Sequence, residues 1–194
     1  GDMKGYIDVH KNMKKPIPEP ELWELFYQCL SALQCIHKNN LIHRDIKPAN
    51  LFMTNDKTIK IGDFGVSATR KKETNIQYIN SMNVMNTQNM ISNAKTSKEK
   101  LRIGTPIYMA PEMYSDEGYG SKIDVYALGI TFFDMCFFEH PRKLVQTLDS
   151  HGNPALDLID VPPELNKGIY SKELTYLIQW MIEYSNIINS NRSC

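Results

Sequence analysis

Residues 41–52 read LIHRDIKPANLF. His43, Arg44, Asp45, Lys47 and Asn50 fall within eight positions there, with short apolar pairs on both sides. A packed core does not accept that density of charge, because a buried ion must be paired or give up its charge. The stretch reads as a functional loop entered from a short strand at Leu41-Ile42. A blander reading makes Asp45 and Asn50 turn residues, since both side chains favour loops. The flanking sequence decides between the two.

Downstream, Leu51-Phe52-Met53 and Thr58-Ile59-Lys60-Ile61 flank Asn55-Asp56, the pattern of a hairpin of two short strands. Asp63-Phe64-Gly65 follows directly. A hairpin returns its far end toward its start, so Asn50 and Asp63 can meet. Two hard oxygen ligands beside one spare carboxylate suit a Mg²⁺ ion that keeps waters and bridges phosphate oxygens. Lys47 is then the cation for a transferring phosphoryl group, and Asp45 accepts or orients the proton of an attacking hydroxyl.

Working outward, Glu21 to His37 carries Leu22, Phe26, Cys29, Leu33 and Ile36 on one helical face, with Pro20 acceptable in the first turn. Residues 124–138 form a helix apolar nearly all round, and hence buried. A short helix is expected over Pro141 to Asp149. A last one, Ser171 to Tyr184, uses Leu174, Leu177, Ile178, Met181 and Ile182, with Ser171 as its cap. Residues 71–100 lose all periodicity, are rich in Asn, Ser, Thr, Lys and Met, and contain no Gly or Pro. They read as a mobile insertion, in which Met82, Met85 and Met90 are too irregular for a cofactor site. Lys11, Lys14 and Lys15 read as a solvated loop, and His43 as a residue that packs its loop. There is no internal repeat.

Over 194 residues, Lys plus Arg number 22 and Asp plus Glu 22, so no net field favours nucleic acid or an anionic membrane. Cys29, Cys35, Cys136 and Cys194 give neither zinc spacing nor a disulfide framework, which implies a reducing, cytoplasmic setting. No basic-then-apolar leader opens the sequence, so a signal peptide is not expected. The apolar run Val125 to Phe138 is too short to span a bilayer.

HRDIKPAN from His43, DFG from Asp63, GTPIYMAPE from Gly104 and SKIDVYALG from Ser121 together resemble the eukaryotic protein kinases in order and spacing. Any one of these motifs occurs by chance; four in order do not. The resemblance runs through essentially the whole chain. It implies a mainly α fold over 1–194: the C-terminal, larger lobe of the kinase fold with a short β-hairpin, the N-terminal lobe being absent. Gly1-Asp2-Met3 resembles the stretch just after the hinge between lobes, and no Gly-rich loop, strand lysine or partner glutamate precedes it.

Carried over by residue, the resemblance implies a catalytic loop at 43–50 and an activation segment at 63–112. Asp45 is the catalytic aspartate, Lys47 the contact to the γ-phosphate of ATP, and Asn50 and Asp63 the Mg²⁺ ligands. Thr105 braces Asp45 and Lys47, and Arg44 receives a phosphorylated activation loop. Glu112 and Arg192 form a buried ion pair, and Asp124 holds the catalytic-loop backbone. Lys47 with Gly104-Thr105-Pro106 matches the serine/threonine class.

Tyr126 where most kinases carry Trp, the run DVYALGITFF and the long insertion are similar to kinases of the translation initiation factor 2 alpha subunit. That likeness implies the factor as substrate, docked by the Pro141 to Asp149 helix. Where those kinases carry a phosphorylatable threonine this chain has Lys100, which moves the expected phosphosites to Thr96 and Ser97. Ser92 and Thr87 read as passive linker. Two alternatives stand beside this one: a NIMA-related kinase, whose style the same motifs also fit, and a pseudokinase-like lobe that only binds partners.

Overall fold

The structure, a computed structural model, describes residues 1–69, 104–114, 119–141 and 168–190. The expected insertion, all but Pro141 of the expected helix at 141–149, and Thr96, Ser97 and Arg192 lie outside the described residues. Among those described, two α-helices are followed by the four strands of two small antiparallel sheets and then by two more α-helices. This helix-rich fold with little strand agrees in kind with the mainly α expectation.

Helix α3 (Lys122–Phe137) is the axis of the core. Twelve of its residues, Ile123 to Cys136 with two gaps, are buried. A helix apolar on every face must be covered on every face. On one side lies α2 (Glu19–Lys38), where Phe26 meets Phe132 edge to face at 4.2 Å. On another lies α4 (Lys172–Ser190), seated on Gly129. There a methyl group would stand 2.9 Å from Met181 Cβ and 3.2 Å from Ile182 Cγ1. Gly129→Ala is therefore expected to cost about 1–3 kcal/mol through overpacking, offset by roughly 1 kcal/mol of helix propensity. Urea unfolding should record the net loss as a lower midpoint at unchanged slope.

Helix α2 starts at Glu19, two residues before the sequence pattern begins, because Pro20 fits a first turn that needs no amide donor. Ser171 caps α4 through Leu174 N (3.3 Å), and Glu19 ties the two helix starts by accepting from Ser171 N at 2.8 Å. α4 then runs on to Ser190, beyond the expected Tyr184.

One expectation is corrected. Lys11, expected in a solvated loop with Lys14 and Lys15, lies instead in a helix, α1 (Met3–Asn12). Asp2 caps it by accepting from Gly5 N at 2.8 Å. Only Met3 and Ile7 of this helix are buried, so the apolar period is a single i, i+4 pair and too short to read. Lys11 sits on its last turn and donates to the carbonyl of Phe138 at 2.7 Å, closing the left-handed C-terminus of α3. Lys14 and Lys15 are exposed, as a solvated segment requires.

The expected hairpin pairs β2 (Leu51–Met53) with β3 (Ile59–Ile61), Leu51 opposite Ile61. A second pair joins β1 (Leu41–Ile42) to β4 (Ala68–Thr69). Gln28 on α2 grips the hairpin twice, donating to Lys57 O (3.2 Å) and accepting from Ile59 N (2.7 Å). Lys57 also reaches Glu21, which accepts from Tyr6 as well, both at 2.7 Å. The hairpin is thus fixed to the helical core through its turn and the start of its second strand.

Candidate active site

β1 delivers the chain into the loop that holds the charged cluster, and Asp45 sits at its centre, 9% exposed. Its Oδ1 accepts from Thr105 N at 2.9 Å and from the Thr105 hydroxyl at 2.7 Å. Its Oδ2 accepts from Lys47 Nζ at 2.7 Å and from Asn50 Nδ2 at 3.0 Å. Lys47 also donates to Thr105 Oγ1 at 2.7 Å, which closes a triangle of Asp45, Lys47 and Thr105. Burial alone would raise the Asp45 carboxyl, but the hydrogen bonds from Lys47 and Thr105, the Lys47 charge and Asn50 outweigh it. The group is held below the usual carboxylate range and is ionised at neutral pH.

Gly104 makes the Thr105 approach possible. It adopts φ +127°, and a Cβ there would lie 2.5 Å from the Arg44 carbonyl oxygen. Arg44 and Asp63 are themselves left-handed, at φ 69° and 60°. Such backbone strain in non-glycine residues gathers where a site dictates geometry.

Asn50 is buried, with Nδ2 also donating to the Asp45 carbonyl at 2.8 Å. That fixes the amide so that its oxygen turns away from the carboxylate. The hairpin brings Gly62 N to Asn50 O at 3.0 Å, one residue from Asp63. Asp63 is exposed, with Oδ1 accepting from Gly65 N at 3.3 Å. An amide oxygen and an open carboxylate are hard donors, and the chemistry of the pair fits Mg²⁺. Among the described residues no cluster of three or more His, Cys, Asp or Glu side chains gathers. A cation here would complete its shell from water and phosphate oxygens.

The loop backbone is held from below by Asp124 of α3, 1% exposed. Its Oδ2 accepts from His43 N at 2.9 Å and its Oδ1 from Arg44 N at 2.8 Å. The Arg44 side chain donates to the carbonyls of Val66 and Ser67, at the start of the segment after Asp63. Glu112 lies in the turn Pro111–Tyr114, while its expected partner Arg192 is outside the described residues. His43 is fully buried and packs edge-on to Phe64 at 4.9 Å. Asp45 N donates to His43 Nδ1 at 3.3 Å, so Nε2 carries the hydrogen and donates to Gly62 O at 2.9 Å.

Sequence reasoning missed His37. Its Nε2 meets Asp124 Oδ2 at 2.8 Å, across 87 positions of sequence. The only local sign is a histidine beside the apolar stripe near the end of α2, a pattern that most often means nothing.

A family model described as protein kinase domain matches residues 2–187. The chain is 32% identical over 156 residues to the eIF-2-alpha kinase GCN2 of Schizosaccharomyces pombe, covering 77% of this chain and 9% of that protein. It is 32% identical over 182 residues to the eukaryotic translation initiation factor 2-alpha kinase gcn-2 of Caenorhabditis elegans, covering 86% and 10%. To the serine/threonine-protein kinase Nek4 of Mus musculus it is 30% identical over 179 residues, covering 90% and 19%. The chain spans from about a tenth to a fifth of these relatives' length.

Proposed function

Since this chain belongs to the protein kinase family, we propose that it is the C-terminal lobe of a serine/threonine kinase acting on the alpha subunit of translation initiation factor 2. The observation that carries the reading is the ionised Asp45 carboxylate, tied at once to Thr105, Lys47 and Asn50. In this reading Asp45 orients a substrate hydroxyl and takes its proton. The hydroxyl oxygen forms the new bond to the γ-phosphorus as the bond to the bridging oxygen breaks and ADP leaves. Lys47 steadies the charge on the moving group, and Thr105 keeps both side chains aimed. Asn50 and Asp63 are the residues that would hold Mg²⁺. Mg-ATP, when bound, supplies the phosphoryl group and the cation that neutralises it.

Arg44 is the proposed regulatory residue, exchanging its hold on the carbonyls of Val66 and Ser67 for a phosphate on Thr96 or Ser97. Glu112 with Arg192 is the proposed anchor of the segment. The proposed partners are a protein substrate and an N-terminal lobe carrying a Gly-rich loop and lysine, with no direct nucleic-acid contact, no membrane in this segment and a cytoplasmic setting. Among the described residues no helix is long and apolar enough to cross a membrane. Likeness to initiation factor kinases of two species supports the choice of substrate. Likeness to Nek4 keeps the NIMA-related reading as second.

The test uses the longer protein, Mg-ATP with labelled γ-phosphate, and the recombinant alpha subunit beside a generic peptide. Serine labelling of the factor, lost in Asp45→Asn, is the expected result, with the 194-residue chain alone inactive. Labelling of the peptide but never of the factor would defeat the substrate assignment. Turnover that survives Asp45→Asn would defeat the catalytic one.

A further inference from the structure

On the far side of Asp124 an open groove of about 460 Å³ runs between the C-terminal half of α2 and the start of α3. Leu30, Leu33 and Val125 give it apolar walls, and Gln34, His37 and Lys38 its polar edge. The groove is wide and largely open to solvent, so it can hold only a ligand that lies along it. The lining residues include no carboxylate. Among the described residues, exposed Lys38 meets only Gln34, at 3.3 Å, and Lys122 is exposed one turn before Val125. The groove is therefore apolar within and basic at its edge.

His37 connects this surface with the interior. It is 19% exposed, while Asp124, its partner at 2.8 Å, is 1% exposed. A carboxylate only accepts, so Nε2 carries the hydrogen, and no described residue engages Nδ1. The same Asp124 Oδ2 that meets His37 also accepts from the amide of His43 at 2.9 Å. One oxygen is shared between a groove residue and the backbone of the charged loop.

We propose that this groove binds a small carboxylic acid with an apolar body, and that His37 relays its occupancy to the loop. The apolar body lies against Leu30, Leu33 and Val125, and the carboxylate faces Lys38 and His37 Nδ1. To donate to that carboxylate, Nδ1 must gain a proton, which His37 takes up from solvent as the carboxylate binds. The resulting imidazolium makes a charge-assisted bond to Asp124 Oδ2. The His43 amide, sharing that oxygen, feels the change. The bearing of the site on phosphoryl transfer rests on the proposed kinase reading; the binding itself does not.

The experiment titrates 4-phenylbutyrate, with 4-phenylbutyramide as control, into the full 194-residue chain labelled with nitrogen-15. The expected result is saturable binding of the acid, with the His37 ring nitrogens moving to imidazolium values. The backbone amides of His43 and Arg44 should shift on the same saturation curve. The neutral amide, and the acid on Lys38→Glu or Leu30→Ser, should each bind about tenfold more weakly or worse. Both substitutions are at exposed positions, and an unchanged amide spectrum elsewhere verifies the fold. The proposal is overturned by no saturation at millimolar acid, by equal binding of acid and amide, or by saturation that leaves His43 and Arg44 unmoved. A longer protein that binds the acid in this way yet transfers no phosphate would refute the kinase reading and leave the site standing.

Discussion

Replacing Asp124 by alanine is expected to destabilise the fold by about 2–6 kcal/mol, the cost of leaving buried hydrogen-bond donors without their acceptor. The carboxylate is almost wholly buried and serves His43 N, Arg44 N and His37 Nε2 together. Its loss orphans two backbone amides where water does not easily reach, at about 1–3 kcal/mol each. Asp124→Asn should cost less, because the amide oxygen still accepts one of the three bonds. Equilibrium unfolding in urea measures both variants. A loss below about 1 kcal/mol for Asp124→Ala would mean that the loop backbone finds other partners, and the clamp would then be incidental.

The second large effect is on turnover. Asp45→Ala in the longer protein is expected to lower kcat by about 10²–10⁴-fold, the usual worth of a positioned acid or base. ATP affinity should change little, since the metal is proposed to sit on Asn50 and Asp63. The pH dependence has a definite sign. Because the Asp45 carboxyl is held below its ordinary range, its ionised form persists above that lowered value and is lost only as pH falls through it. The fall in activity due to Asp45 should therefore come at a lower pH than an ordinary aspartate would give, about 3.9. A single-turnover pH profile tests this, provided the fold is intact at the acid end. A fall centred above pH 5 and abolished in Asp45→Asn would contradict the depressed value.

Legibility in the sequence followed the range of the interactions involved. α3 could be read because nearly every residue from Ile123 to Cys136 is buried, and α2 because its buried face repeats at helical spacing. The hairpin was marked by Asn55-Asp56 between two short apolar runs. α1 could not be read, because Met3 and Ile7 are its only buried apolar residues, one i, i+4 pair. In the site, Asp45, Lys47 and Asn50 were visible as a cluster because they are local. Thr105 stands 60 positions from Asp45, and resemblance to a family, not periodicity, pointed to it. His37 had neither aid. A single hydrogen bond across 87 positions leaves no trace in composition or pattern.

The two flanks of residues 70–103 are anchored almost at one spot. Thr69 pairs with Leu41, while Gly104 presses on the carbonyl of Arg44, three residues further along the same loop. The chain therefore departs and re-enters at a doorway whose width is set by the core, whatever the length of the excursion between. In chain-entropy terms, each doubling of the length of a connection between fixed posts adds only about 0.6 kcal/mol. A change of length between those posts need not disturb the site, because Asp45 and Thr105 are held in register by the flanks themselves.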